Sequence, residues 1–359
     1  MIITSLPPSP KLRFDSESFA LINEADKSLF LLEGAINIFP SNHSLLHSLT
    51  FLESINSLRI DGYKTTFSDA LKLLIQEGQS ELNPVFSYLH SLSLAQKLIR
   101  DIASSSHIIK TIHKEITHDI PGVEFIPGEY RKTQSGTVTN SFTKNDSRYI
   151  PPPPEEIDSL MHDFENYISS DISYPLVVNA ALIHAQFEMI HPFETKNGLV
   201  GRILFHLHLL WKKRLSAPVL QISSTLNKKR TEYFDRLEDL EKNNAWESWI
   251  KFFLKIIIES AKDTSGIIKN VSDLEQRDYQ NILEKGFAST PSLNLFELIF
   301  NKPFISLPFI TKELGLNKQT ANVLLTKFLE EGILEETTGK QRNRIFVYKK
   351  LLNILSGSQ

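Results

Sequence analysis

The chain has 359 residues, 41% hydrophobic and 23% charged, with a formal net charge of −3 and no cysteine. That length calls for two or three compact domains, and the composition excludes disordered and fibrous classes. The absent cysteines exclude disulfides, thiolate nucleophiles and zinc–thiolate sites, and the near-neutral charge does not mark the whole chain as a nucleic-acid binder. The start has no basic segment followed by an apolar stretch, and no apolar run is long enough to span a bilayer, so a cytoplasmic protein with no membrane partner is expected.

Residues 1 to about 15 are proline-rich and read as extended. Apolar residues then recur at three- and four-residue spacings through Phe19 to Leu32, Leu45 to Ile60 and Ala70 to Ile75, which predicts an N-terminal helical layer over residues 1–100. From Asp119 to Pro154 glycine, serine and threonine accumulate and four prolines close the stretch, so a loop or β-hairpin is expected. Helical spacing returns at Glu155 to Ile168, Pro175 to Ile190, Gly198 to Arg214, and Lys228 to Ile258 with a break near Asn243. No βαβ alternation occurs, which argues against a Rossmann or P-loop architecture. The fold class is mainly α, with a helical core over 101–262 and a polar helical linker over 263–290.

Residues 291–359 read differently. Leu307 to Leu314 is helical, Gly315 breaks it, Asn317 is a favourable N-cap for a helix running to Glu330, and Gly332 stops that helix. Ile333 to Glu336 and Arg344 to Tyr348 are strand-like and flank the turn Thr338-Gly339-Lys340.

The segment HAQFEMIHPFETKNGLVGRILFHL, from His184 to Leu207, carries the chemistry. Pro192 lacks the amide that a helix interior needs, so the chain turns at His191-Pro192, and Asn197-Gly198 opens a new helix. A loop entering a helix N-terminus offers unpaired amides and a positive dipole end to phosphate. Arg202, one turn inside, is placed to hold a terminal phosphate, and His191 titrates in the range of a general base. By spacing alone, a helix-ending histidine and an ordinary Asn-Gly turn explain the same residues. His206 and His208 have no metal-binding spacing and read as packing or surface residues, and Trp211, Trp246 and Trp249 read as core.

The order His191-Pro192-Phe193, then Asn197-Gly198, then Arg202 resembles the Fic (Fido) family signature HPFx(D/E)GNGRxxR. GEYRKTQ, from Gly128 to Gln134, resembles that family's target-docking flap. PPPPEEI, AALIHAQFEMIHPF, RTEYFDRL and WESWIKFFL resemble its remaining core segments in their usual order. The resemblance implies transfer of AMP from ATP to a hydroxyl of a target protein, with Mg²⁺ bridging the phosphates. It implies His191 as base and Thr195, Lys196, Asn197, Gly198, Gly201, Arg202 and Tyr233 around the nucleotide. Arg131, Thr133 and Gln134 would then belong to the docking flap and Phe193 to a core anchor. Tyr233 with Phe234 reads equally as core. Four departures fall on the chemistry: Thr195 stands where the family has an acidic metal ligand and is a far weaker partner for a hard cation, Lys196 replaces a glycine, Leu199 replaces the first arginine, and Ser135 to Thr139 replaces the usual flap sequence.

Upstream, ESINSLRIDGYKTT resembles the inhibitory helix of the subfamily whose pattern is (S/T)xxxE(G/N), here Ser57, Asp61 and Gly62. The resemblance implies that Asp61 competes with phosphate for Arg202. The C-terminal segment resembles a winged helix and carries nine Lys or Arg against six Glu. In a DNA complex Lys318, Gln319 and Asn322 would face the major groove and Lys340, Arg342 and Arg344 the phosphates, whereas the same module in other proteins mediates protein contacts or a homodimer. Three readings stay open: a protein adenylyltransferase or weakened relative, an inactive nucleotide-binding pseudoenzyme, and a DNA-binding regulator.

Overall fold

The computed structural model describes residues 6–9, 11–38, 42–67, 69–70, 84–99, 105–118, 125–134, 138–139, 148–170, 174–340 and 343–357. The chain is mainly helical, with one hairpin inside the helical body and a small three-stranded sheet near its end.

Among the described residues, the first four helices in chain order are α1 (Ser16–Ile38), α2 (Asn42–Ile60), α3 (Pro84–Leu98) and α4 (Ser105–Thr117). Asp15 caps α1 by accepting from the Ser18 amide at 2.8 Å, which satisfies one of the orphan donors at the helix start. The hairpin pairs β1 (Val138–Thr139) with antiparallel β2 (Arg148–Tyr149), inside the stretch expected as loop or hairpin. Residues 135–137 of the altered flap sequence lie outside the described residues.

Then come α5 (Ile157–Ser169), α6 (Leu176–Ile190), α7 (Asn197–Trp211), α8 (Ile222–Lys228), α9 (Arg230–Asn243) and α10 (Trp246–Glu284). α6 is buried around almost its whole circumference, from Val177 to Phe187, as expected of a helix that is apolar on all sides. Trp249 of α10 packs against it and donates its indole N–H to the Ala181 carbonyl at 2.9 Å. The expected break near Asn243 is a left-handed residue, Asn244 with φ 53°. Beyond it α10 runs without interruption through the polar stretch Lys262 to Gln280 and lies along α1. Lys251, Lys255 and Lys262 of α10 reach Asp15, Glu17 and Glu24 on the facing segment, pairs exposed enough to add little stability.

The last unit is α11 (Thr290–Asn301), β3 (Phe304–Ser306), α12 (Leu307–Leu314), α13 (Lys318–Glu330), β4 (Glu335–Glu336), β5 (Ile345–Val347) and α14 (Lys349–Ser356). The strands are antiparallel in the order β3-β5-β4. Gly315 ends α12 with φ 63°, and the Asn317 side chain caps α13 by accepting from the Thr320 amide at 2.9 Å. Both punctuation residues act as expected. Helices α11 and α14 pack on α2, so the terminal unit and the motif helix α7 meet the same N-terminal helix.

Candidate functional site

The site forms where α6 ends and α7 begins. His191 terminates α6 in a left-handed conformation, φ 49°, with its amide donating to the Phe187 carbonyl at 3.0 Å. Phe193 is fully buried and stacks on the His113 ring at 3.9 Å with the planes 2° apart. Asn197 closes the loop from both sides: it accepts from the Phe193 amide at 2.9 Å and donates to the Phe193 carbonyl at 2.8 Å. Its side chain is therefore committed to shaping the loop rather than aimed at a ligand. Lys196 is also left-handed, φ 62°, at a position where glycine would be unstrained. Its ammonium group donates to the Tyr63 hydroxyl at 2.6 Å.

Burial, reinforced by the nearby Arg131 charge, lowers the His191 pKa to about 4. The imidazole is neutral at pH 7 and able to accept a proton. Arg131 is itself tied down, donating to the carbonyls of His191 at 2.9 Å and Thr133 at 3.2 Å and also to that of Pro152. Thr133 donates to Glu194 at 2.6 Å and Gln134 to the Pro151 carbonyl at 3.0 Å. The three residues expected in a docking flap thus fasten their own segment to the His191 loop and to the proline run.

Arg202 is 2% exposed. Its Nε donates to Ser57 Oγ at 2.7 Å, while Nη2 donates to the Ser57 carbonyl at 3.0 Å and to Asp61 Oδ1 at 2.7 Å. The expected inhibitory residues and the expected phosphate-binding arginine are therefore one cluster. Gly62, φ 89°, ends α2 just after Asp61. Gly198 is needed for the close approach, because a Cβ there would lie 2.8 Å from Arg202 Nη1 and 3.0 Å from Asp61 Oδ1. Gly201 likewise clears Glu188, whose Oε1 would be 2.7 Å from a Cβ.

Several contributors escape sequence reasoning. Glu188 lies on α6 beside Arg202; burial raises its pKa to about 7, against the pull of the guanidinium. The signal was a lone acid in the buried run IHAQFEMI, but only a fold tells what it faces. Glu53 and His206, both fully buried, pair at 3.3 Å, and Glu53 also accepts from the Ser223 amide at 3.2 Å and from its hydroxyl. This buried, multiply bonded side chain pins α2 to α7 and α8, and leaving one buried polar partner of such a network unsatisfied typically costs about 1–3 kcal/mol. Tyr233 is buried and meets His184 Nε2 at 3.0 Å, placing it in the aromatic wall behind Arg202.

The donor set at the loop does not suit Mg²⁺. Position 195 supplies a neutral hydroxyl, the Glu194 carboxylate is engaged by Thr133, and no group of three or more His, Asp or Glu able to hold a metal occurs among the described residues.

Residues 103–209 match the model of the Fic/DOC family. A probable protein adenylyltransferase of Aquifex aeolicus is 32% identical over 78 residues, 20% of this chain and 24% of that protein. The protein adenylyltransferase Fic of Drosophila grimshawi is 28% identical over 191 residues, 52% of this chain and 34% of that one. The chain thus spans about a quarter to a third of the length of these curated relatives. Among solved structures, a Fic family protein from Desulfovibrio desulfuricans superposes with a TM-score of 0.60 at 16% identity, over 95% of this chain and 98% of that one. A Fic domain containing signaling protein from Bacteroides thetaiotaomicron gives 0.52 at 19% identity, over 71% and 98%. The chain has the fold of these proteins. No helix among the described residues is long and apolar enough to cross a membrane.

Proposed function

We propose that this chain, whose residues 103–209 match the Fic/DOC family model, is a protein adenylyltransferase or a weakened relative of one, held off by its own N-terminal helix α2. The neutral His191 imidazole takes the proton of a target hydroxyl, the hydroxyl oxygen bonds to the α-phosphorus of ATP, and pyrophosphate leaves. The α7 N-terminus with Gly198, the Lys196 ammonium and Arg202 hold the phosphates, and Tyr233 backs the pocket. The observation that carries the inhibited state is the Arg202 guanidinium bound to Ser57 and Asp61, each at 2.7 Å: a terminal phosphate reaches that arginine only by displacing the carboxylate.

Calorimetry with ATP tests this directly. The unaltered chain is expected to bind ATP weakly and nearly independently of Mg²⁺, because Thr195 gives the ion no carboxylate. At about pH 6, Asp61→Gly should tighten binding roughly tenfold, one lost charge-assisted competitor being worth about 1.4 kcal/mol. Tight, strictly Mg²⁺-dependent binding by the unaltered chain, or no gain from Asp61→Gly, would sink the reading.

The terminal unit supports a second role. Helix α13 leaves Lys318, Gln319 and Asn322 exposed, the arrangement of a recognition helix beside a β-hairpin wing. We read it as a winged helix that binds duplex DNA. Lys340 and Arg344 are exposed on the wing, while Arg342 lies outside the described residues. The intact protein should retain duplex DNA at low salt, and Lys340→Ala with Arg344→Ala should weaken retention and flatten its salt dependence. Absence of any retention at low salt removes this role.

A further inference from the structure

Asp61 is not the sole acid at Arg202. The guanidinium and the Glu188 carboxyl lie on one face of α7, within a single turn: a Cβ on Gly198 would meet Arg202 Nη1 at 2.8 Å, and one on Gly201 would meet Glu188 Oε1 at 2.7 Å. The two carboxylates reach that face from different neighbours, Asp61 from the end of α2 and Glu188 from α6 one turn before His191. Their states differ. Asp61 holds the arginine at 2.7 Å, whereas Glu188 Oε1 is buried and has no hydrogen-bond partner among the described residues. A buried carboxylate left unpaired beside an arginine that is already neutralised is costly, so a proton is retained instead.

We propose that Glu188 is a second carboxylate lock on Arg202: it keeps a proton while Asp61 pairs with the arginine, and when Asp61 withdraws it releases that proton to water and takes the arginine itself. The inference rests on Arg202 being the phosphate-holding residue proposed above. It makes the site a two-stage one. Freeing Arg202 from α2 is not sufficient for anion binding, because the anion must then displace Glu188, and this is easiest where Glu188 stays protonated. The charged and titratable groups around it are Arg202 on α7, Asp61 at the end of α2, Tyr233 on α9 and His191 on its own element. His191 is neutral and Tyr233 is held neutral by burial, which leaves Asp61 and Arg202 to govern the carboxyl. The pKa of Glu188, raised to about 7, agrees with the proton it keeps.

The test reads the proton first and the anion second. The infrared absorption of a protonated carboxyl, assigned by its loss in Glu188→Gln, should persist to about neutral pH in the unaltered chain and disappear at a pH lower by at least about one unit in Asp61→Gly, a tenfold change in proton affinity. Glutamine is isosteric with the protonated acid, so this variant keeps the shape of the site. ATP affinity of Asp61→Gly should then fall about tenfold or more between roughly pH 6 and pH 8.5, while Asp61→Gly with Glu188→Gln should hold its pH 6 affinity throughout. An infrared titration identical with and without Asp61, or an ordinary carboxylate titration in the unaltered chain, overturns the lock whether or not ATP binds. An equal pH dependence in the two ATP-binding variants overturns it as well. If the infrared shift occurs and no variant binds ATP, the lock stands and the nucleotide reading fails.

Discussion

With ATP labelled in its α-phosphate at about pH 6, the chain carrying Asp61→Gly and Thr195→Asp together is expected to label itself at least roughly tenfold faster than the chain carrying Asp61→Gly alone. The first change frees Arg202 from the contact at 2.7 Å. The second returns a carboxylate to the loop position where a hard cation on the phosphates would find an oxygen ligand. Adenylyl transfer depends mainly on positioning and on charges placed where negative charge develops, so the pair of changes should move rate more than affinity. Adding His191→Ala should remove roughly a hundred- to ten-thousand-fold of that rate, the usual share of a positioned base. Leu199→Arg is a poor companion, because Leu199 is 1% exposed and a guanidinium there enters the core. Labelling by the unaltered chain as fast as by the double variant would show that Asp61 restrains nothing. Absence of labelling by a double variant that binds ATP would place the block at Lys196 or the flap.

Acid should unfold the protein well above the range where its carboxylates titrate. Burial lowers the pKa values of His113 and His191 to about 4 and those of His184 and His208 to about 3. In the unfolded chain these rings take up protons near their ordinary value of 6.5; the folded chain refuses them until its lower values are reached. The unfolded state therefore binds more protons in that window, and stability falls as pH drops from about 6.5 towards 4. Each site contributes up to about 3 kcal/mol and the sum is not fully additive, yet it is large beside a typical stability of roughly 5–15 kcal/mol. Glu188, Glu165 and Glu241 work against this, because burial raises their carboxyl pKa values and so favours the folded state as pH falls, but two of these three are only partly buried and they stand against four buried histidines. Urea midpoints at about pH 7.5, 5.5 and 4.5 check the claim, and a midpoint unchanged across them would refute it. His208→Leu should flatten part of the slope, since His208 lines an apolar cavity with Ile99, Ile108 and Leu204 and its Nε2 has no partner among the described residues.

What could be read from the sequence was local. Pro192 cannot donate an amide, so the helix before it had to end, and it ends at Ile190. Asn197-Gly198 opens the next helix, Gly315 and Asn317 punctuate the terminal unit, and the all-apolar stretch before His191 is the central buried helix. Each follows from backbone chemistry or from a repeat of apolar residues within a few turns, which is the range over which the chain constrains itself. The resemblance of short motifs named Ser57, Asp61 and Arg202 as candidates, but no periodicity could say that they touch. Only the tertiary structure brings Asp61 onto an arginine 141 residues away, sets Glu53 against His206 across 153 residues, ties Lys196 to Tyr63 across 133, and leaves Glu188 Oε1 buried with no hydrogen-bond partner among the described residues. Apolar spacing specifies which face of a helix is covered; it carries no information about which charge on a remote segment covers it. The candidate residues of the motifs were therefore legible in the chain, whereas Glu188 and the pairing of all these groups were decided by how α2, α6 and α7 pack.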